Sequence, residues 1–135
     1  MDRYNSAESL VCTLSPQGPV SCIRPMAAHN AAQYFLENFP GHTLYAVKTN
    51  PHPFILETLY KSGVNQFDVA SLSEVALVRK NIPKAEINFL HPVKNRAAIE
   101  RAYYDYNVRT FAFDSVTELE KISASTNHSK DLTLL

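Results

Sequence analysis

The sequence predicts an α/β fold in which parallel strands alternate with helices, about the first half of a (β/α)8 barrel. Three observations carry that expectation. From residue 30 onward, short β-prone runs alternate with runs whose apolar residues fall at helical spacing. The strand-like runs end at Lys48, Ala70, Pro92 and Asp114, each 22 residues after the one before. That interval holds one strand, one helix and two short connections, which makes the strands parallel. Along those strands, bulky apolar side chains also alternate with small or polar ones.

The first strand is "HTLYAV" at 42–47, followed by Pro51, Pro53 and the helical run "FILETLYKSG", in which Ile55, Leu56, Leu59 and Tyr60 share a face and Gly63 marks a stop. The second strand is "NQFDVAS" at 65–71. The helix after it can be capped by Ser71 or Ser73, carries Glu74 in its first turn, and has Val75, Leu77 and Val78 as its apolar stripe. "EINFLHPV" at 86–93 and "NRAAIERAYYDYN" form the third pair, with Ile99, Ala102, Tyr103 and Tyr106 on one face. "RTFAFDS" at 109–115 and "VTELEKISAS" form the fourth, and "DLTLL" at 131–135 opens a fifth strand.

Alternation favours the barrel over an open doubly wound sheet. Leu44, Ala46 and Lys48 oppose Tyr45 and Val47; Gln66, Asp68 and Ala70 oppose Phe67 and Val69; Thr110, Ala112 and Asp114 oppose Phe111 and Phe113. The bulky set suits outer helices, and the small and polar set suits an interior whose C-terminal mouth holds a site. In the third strand, Leu90 and His91 fit either face. No GxGxxG follows the first strand and the chain has three glycines, against a dinucleotide-binding sheet. A whole barrel takes typically ~250 residues, so a chain of 135 residues is expected to be a portion of a longer enzyme, inactive or nearly so by itself.

Thirteen basic residues balance thirteen acidic ones, so nothing in the charge points to nucleic acid or an anionic membrane. No apolar run approaches a membrane span, and "MDRYNSAESLVCTLS" lacks the basic start and apolar core of a secretory signal. Cys12 and Cys22 are no CxxC pair and read as spare thiols, and the expected location is cytoplasmic. His42, His52 and His91 have no metal spacing.

Lys48 ends an otherwise apolar run. Either it is a solvated charge where the strand emerges, or its amine is held to attack an aldehyde, which requires a site that lowers its proton affinity. The surrounding residues bear on the choice. "YAVKTNP" at 45–51, "FDVASLSEV" at 67–75, "INFLHPVKNRAAI" at 87–99 and "VRTFAFDSVTELEKI" at 108–122 resemble, in order and spacing, blocks of the alanine-racemase-like (fold type III) decarboxylases that use pyridoxal 5'-phosphate. The resemblance covers residues 24–135, and "FLHPVK" is similar to the bacterial ornithine/lysine branch.

The resemblance implies a TIM-like barrel over 24–135 and a segment, 1–23, belonging to a separate β-sheet domain, with Val20, Cys22 and Ile23 strand-like. It implies that Lys48 carries the cofactor, that Ala46 lies against it, that Asp68 stabilises the cationic nitrogen, and that Glu74 stands at the site's edge. The implied reaction is decarboxylation of a basic amino acid, ornithine to putrescine in polyamine synthesis, by a homodimer. Lysine or diaminopimelate as substrate, or a non-catalytic regulatory relative, are the alternatives. Each residue also has a structural reading: Asp68 can pair with a basic neighbour, Glu74 suits a helix N-terminus, Asp114-Ser115 suits a helix cap, and His91 suits a strand end. The phosphate-binding turn and the partner of the pyridine nitrogen are expected outside these residues.

Overall fold

The computed structural model describes residues 2–135. Two helices, α1 (Ala7–Leu14) and α2 (Pro25–Asn38), precede five strands joined by helices: β1 (Leu44–Ala46), α3 (Pro53–Lys61), β2 (Gln66–Val69), α4 (Leu72–Asn81), β3 (Glu86–Phe89), α5 (Arg96–Tyr104), β4 (Thr110–Phe111), α6 (Val116–Ser125) and β5 (Thr133–Leu134). All pairings are parallel and the sheet order is β1-β2-β3-β4-β5, the sequential order of a barrel wall.

Local chemistry starts and stops the helices. Ser71, Asn95 and Ser115 cap α4, α5 and α6, each accepting a hydrogen bond from the backbone N–H three residues on. His52 caps α3, and Pro53 fills the first helical position, where no N–H is needed. At the far end of α3, Gly63 adopts φ +102°, and the N–H groups of Gly63 and Val64 return to the carbonyls of Tyr60 and Leu59. That is the paired closure a left-handed residue after the last turn permits.

The core lies between the sheet and helices α3–α6. Phe67, Val69, Phe89 and Phe111 are fully or almost fully buried there against Leu56, Val75, Val78, Ile99 and Ile122. Burying a side chain of this size contributes about 1.5–3 kcal/mol. The alternation expected from the sequence holds on β2, where Gln66 and Asp68 are half-buried and Phe67 and Val69 are enclosed. It resolves on β3 as well: Ile87 and Phe89 join the core, which assigns Asn88 to the other face. Register then aligns Ala46, Asp68, Asn88, Thr110 and Thr133 as one row across the inner face.

Three expectations need correction. The strands are shorter than the β-prone runs, ending at Ala46, Val69, Phe89 and Phe111, so the equal 22-residue spacing belongs to the repeat and not to strand ends. Lys48 is therefore not a strand residue. It sits in a 3₁₀ turn, Val47–Thr49, because the chain bends out of the sheet toward Pro51 and Pro53, neither of which can donate to a ladder. Pro92 likewise ends no strand; β3 stops at Phe89.

Val20, Cys22 and Ile23 form no strand, and the regular structure of the N-terminal part is helical. α1 opens on a capping box in which Ser6 and Ser9 exchange hydrogen bonds at 3.1 Å. α2 packs on α3 through Ala32, Leu59 and Val64. Cys12 and Cys22 are exposed thiols. No helix among the described residues is long and apolar enough to cross a membrane.

Candidate active site

The C-terminal ends of the strands form a rim, and the 3₁₀ turn places Lys48 on it. The turn is stiffened on its far side: the Asn50 side chain accepts the His52 N–H at 3.1 Å, and the Tyr45 hydroxyl reaches the Asn50 carbonyl at 3.4 Å. Val47, fully buried, anchors it in the core while Lys48 projects to solvent. Among the described residues, no ion pair holds the Lys48 ammonium.

Asp68 lies on β2 in register with Ala46, one strand over from the turn that carries Lys48. Three influences act on its carboxyl. Burial is the largest and pushes its pKa up, the positive charge of Lys48 draws it down, and the negative charge of Glu74 pushes it up again; the result lies above the usual carboxylate value. Lys48, Asp68 and Glu74 thus form one electrostatic group at the β1/β2 corner. Ala46 supplies the small side chain of that corner.

Glu74 does what a residue in the first turn of a helix does, and more. Its N–H donates to Ser71 Oγ at 3.3 Å, and its Oε2 accepts the Ala70 N–H at 2.7 Å. It closes the start of α4, as its structural reading expects, and its charge also reaches Asp68. Ser115, not Asp114, caps α6, and His91 and Asp114 are exposed on the rim at β3 and β4. On the inner row, Asn88 is buried with its Nδ2 lacking a hydrogen-bond partner, so a donor next to Asp68 in the row is unspent.

Sequence reasoning missed a second charged cluster. The side chain of Lys94 is fully buried, its Nζ pairing with Glu118 Oε1 at 3.1 Å, while Lys121 pairs with the other oxygen of Glu118. Burial lowers the Lys94 pKa against the upward pull of Glu118 and Asp114. Burial pushes Glu118 up, but hydrogen bonds from Lys121 and Lys94 outweigh it and leave its pKa below the ordinary value. One signal was available: "SVTE" at 115–118 repeats the pattern of "SLSE" at 71–74. Nothing in the local sequence marks Lys94 as buried.

A parallel sheet in sequential strand order, with helices between the strands, defines a (β/α)-barrel segment. The chain belongs to the pyridoxal-dependent decarboxylases: the profile of that family's pyridoxal binding domain matches residues 26–134. A lysine/ornithine decarboxylase of Selenomonas ruminantium is 38% identical over 93 residues, 67% of this chain and 23% of that protein. An ornithine decarboxylase of Candida albicans is 42% identical over 91 residues, 65% of this chain and 19% of that protein. The crystal structure of a Vibrio vulnificus lysine/ornithine decarboxylase complexed with putrescine superposes with a TM-score of 0.80 at 32% identity, over 96% of this chain and 36% of that one. The chain therefore spans about a fifth of the length of these two sequence relatives.

Proposed function

We propose that this chain is the segment of a basic-amino-acid decarboxylase to which pyridoxal 5'-phosphate attaches, with L-ornithine as substrate and lysine as its nearest competitor. The observation that carries the reading is the Lys48 amine, unengaged on the strand-end rim beside a carboxylate whose pKa burial has raised. The residues present fit an aldehyde cofactor: the Lys48 amine is exposed on the rim and, among the described residues, engaged in no ion pair, so its nitrogen is open to an aldehyde. Ala46 leaves room beside it, and the Asn88 Nδ2 is a buried donor on the same inner row awaiting an acceptor.

When bound, the cofactor supplies the electron sink that decarboxylation requires. The chain's own part is placement and proton handling. Lys48 Nζ is the attachment atom. Asp68, less acidic than a solvated aspartate, accepts or returns a proton at that nitrogen and balances its charge in the cationic form. Glu74, anchored by the Ala70 N–H, is a fixed negative charge that adds to the upward push burial gives the Asp68 pKa.

The same reading extends to parts that the relatives possess at greater length. The barrel wall is residues 24–135, residues 1–23 belong to a separate β-sheet domain, and the working form is a cytoplasmic homodimer. The test is release of carbon dioxide from carboxyl-labelled ornithine, lysine and diaminopimelate by the intact protein. Ornithine is expected to be turned over fastest, and Lys48→Ala to abolish release from all three. Undiminished turnover in Lys48→Ala would overturn the assignment, and a preference for diaminopimelate would overturn the substrate.

A further inference from the structure

Lys94 has no place in the chemistry above, yet it is the more completely engaged of the two lysines at this end of the sheet. Its Nζ donates to the His91 carbonyl at 2.7 Å and the Ala112 carbonyl at 2.6 Å, and it meets Glu118 Oε1 at 3.1 Å. An ammonium has three donors, so these acceptors exhaust it and none is left for a ligand. The Lys94 backbone N–H also donates to Glu118 Oε1 at 3.1 Å.

The acceptors come from three separate places. His91 lies on the turn after β3, Ala112 just after β4, and Glu118 in the first turn of α6. One buried charge therefore ties together the two stretches that form the rim at β3 and β4. A cavity of about 360 Å³ beside the first of them is lined both by His91 and Val93 and by Ala70 and Ser71 of the turn after β2. Ala70 is the residue whose N–H holds Glu74.

We propose that Lys94 is a positioning residue for the site: it holds the His91–Lys94 and Ala112–Ser115 stretches as a preset rim around the cofactor attached at Lys48. His91, Pro92 and Val93 are all exposed. Without the ammonium gathering the His91 and Pro92 carbonyls, this turn would have to be ordered at the moment of binding, and ordering a loop then weakens affinity. The inference rests on the proposed function, since it concerns the same site.

The experiment compares the wild-type chain with Lys94→Met, Glu118→Gln and the double variant. Glutamine keeps an acceptor for the Lys94 backbone N–H, and the double variant removes both buried charges, leaving only the partly exposed Lys121 ammonium without its partner. Melting temperature, amide hydrogen exchange at 91–94 and 112–114, and the dissociation constant for pyridoxal phosphate are measured on each. Lys94→Met alone is expected to lower the melting temperature, and the double variant to recover most of the loss. Exchange in both stretches should nevertheless stay faster, and the cofactor dissociation constant stay raised about tenfold, in the double variant. Wild-type exchange or wild-type cofactor affinity in the recovered double variant would overturn the positioning role. A wild-type chain that binds no more cofactor than Lys48→Ala would overturn the proposed function and this inference with it, a result distinct from either of those.

Discussion

Two corners of this molecule are written with the same four-residue pattern. Ser71 and Ser115 cap α4 and α6 with nearly the same backbone, φ −149° and ψ 159° against φ −149° and ψ 156°. The glutamate three residues on receives the cap at 3.3 Å in one and 3.2 Å in the other. There the likeness ends. Glu118 is 5% exposed, and its two oxygens are shared between Lys94 and Lys121. Glu74 is half-buried, spends one oxygen on a backbone N–H, and turns its remaining charge toward Asp68, another carboxylate. One corner closes its charges inside the fold. The other leaves two negative groups facing a lysine that has no fixed partner among the described residues. A repeated motif thus closes a charge cluster inside one unit and leaves an open one in the next, and the difference lies in what the preceding unit contributes: Lys94 beside the cap of α5, Lys48 in a turn before the cap of α3.

The largest expected contrast is in stability. Glu118→Ala strands the buried Lys94 ammonium and should cost about 3–5 kcal/mol, read by urea unfolding. Glu74→Ala removes one hydrogen bond to a backbone N–H and should cost about 1 kcal/mol. Equal costs would erase the distinction between the corners. Ser71→Ala and Ser115→Ala should each cost about 1 kcal/mol, and by similar amounts, because the caps themselves are alike.

A finer contrast is in pH dependence. Asp68 has a pKa raised above its ordinary 3.8, so the folded chain binds that proton more tightly than the unfolded chain. Its contribution therefore favours folding at low pH and is lost as pH rises through the folded value. Glu118 is the reverse: lowered from its ordinary 4.5, it stabilises above that pH and stops doing so as pH falls through its folded value. Urea midpoints collected from neutral to acid pH should show the acid limb flattened in Glu118→Gln. Asp68→Asn should leave stability near pH 7 unchanged within about 0.5 kcal/mol or improve it. A matching loss in both variants would mean that Asp68 is a structural carboxylate.

The repeat was legible because helix and strand periods differ and because each unit is punctuated by Pro, Gly or Ser. Ser71 and Ser115 announced α4 and α6, and Gly63 announced the end of α3. The lengths of strands were not legible, since Leu90 and Phe113 are as β-prone outside the sheet as Phe89 and Phe111 are inside it; where pairing stops is decided by neighbours. α2 went unread because Ala27, Ala28, Ala31 and Ala32 give little hydrophobic contrast between its faces. For the proposed site, local wording and alternation singled out Lys48, Asp68 and Glu74, which the structure brings into one electrostatic group. Lys94 was not legible, because a lysine can be buried only where distant carbonyls and a carboxylate converge, and its acceptor Ala112 lies 18 residues away.

The central claim is that one lysine, Lys48, is the reactive amine of this chain. Borohydride reduction in the presence of pyridoxal phosphate fixes the cofactor to whichever lysine it has joined, and peptide mapping reads the position. The account predicts a saturable adduct on Lys48 that is absent from Lys48→Ala, with Lys94 unlabelled in the folded chain. Label spread over exposed lysines such as Lys61, Lys80 and Lys84, with Lys48 no richer than they are, would contradict it.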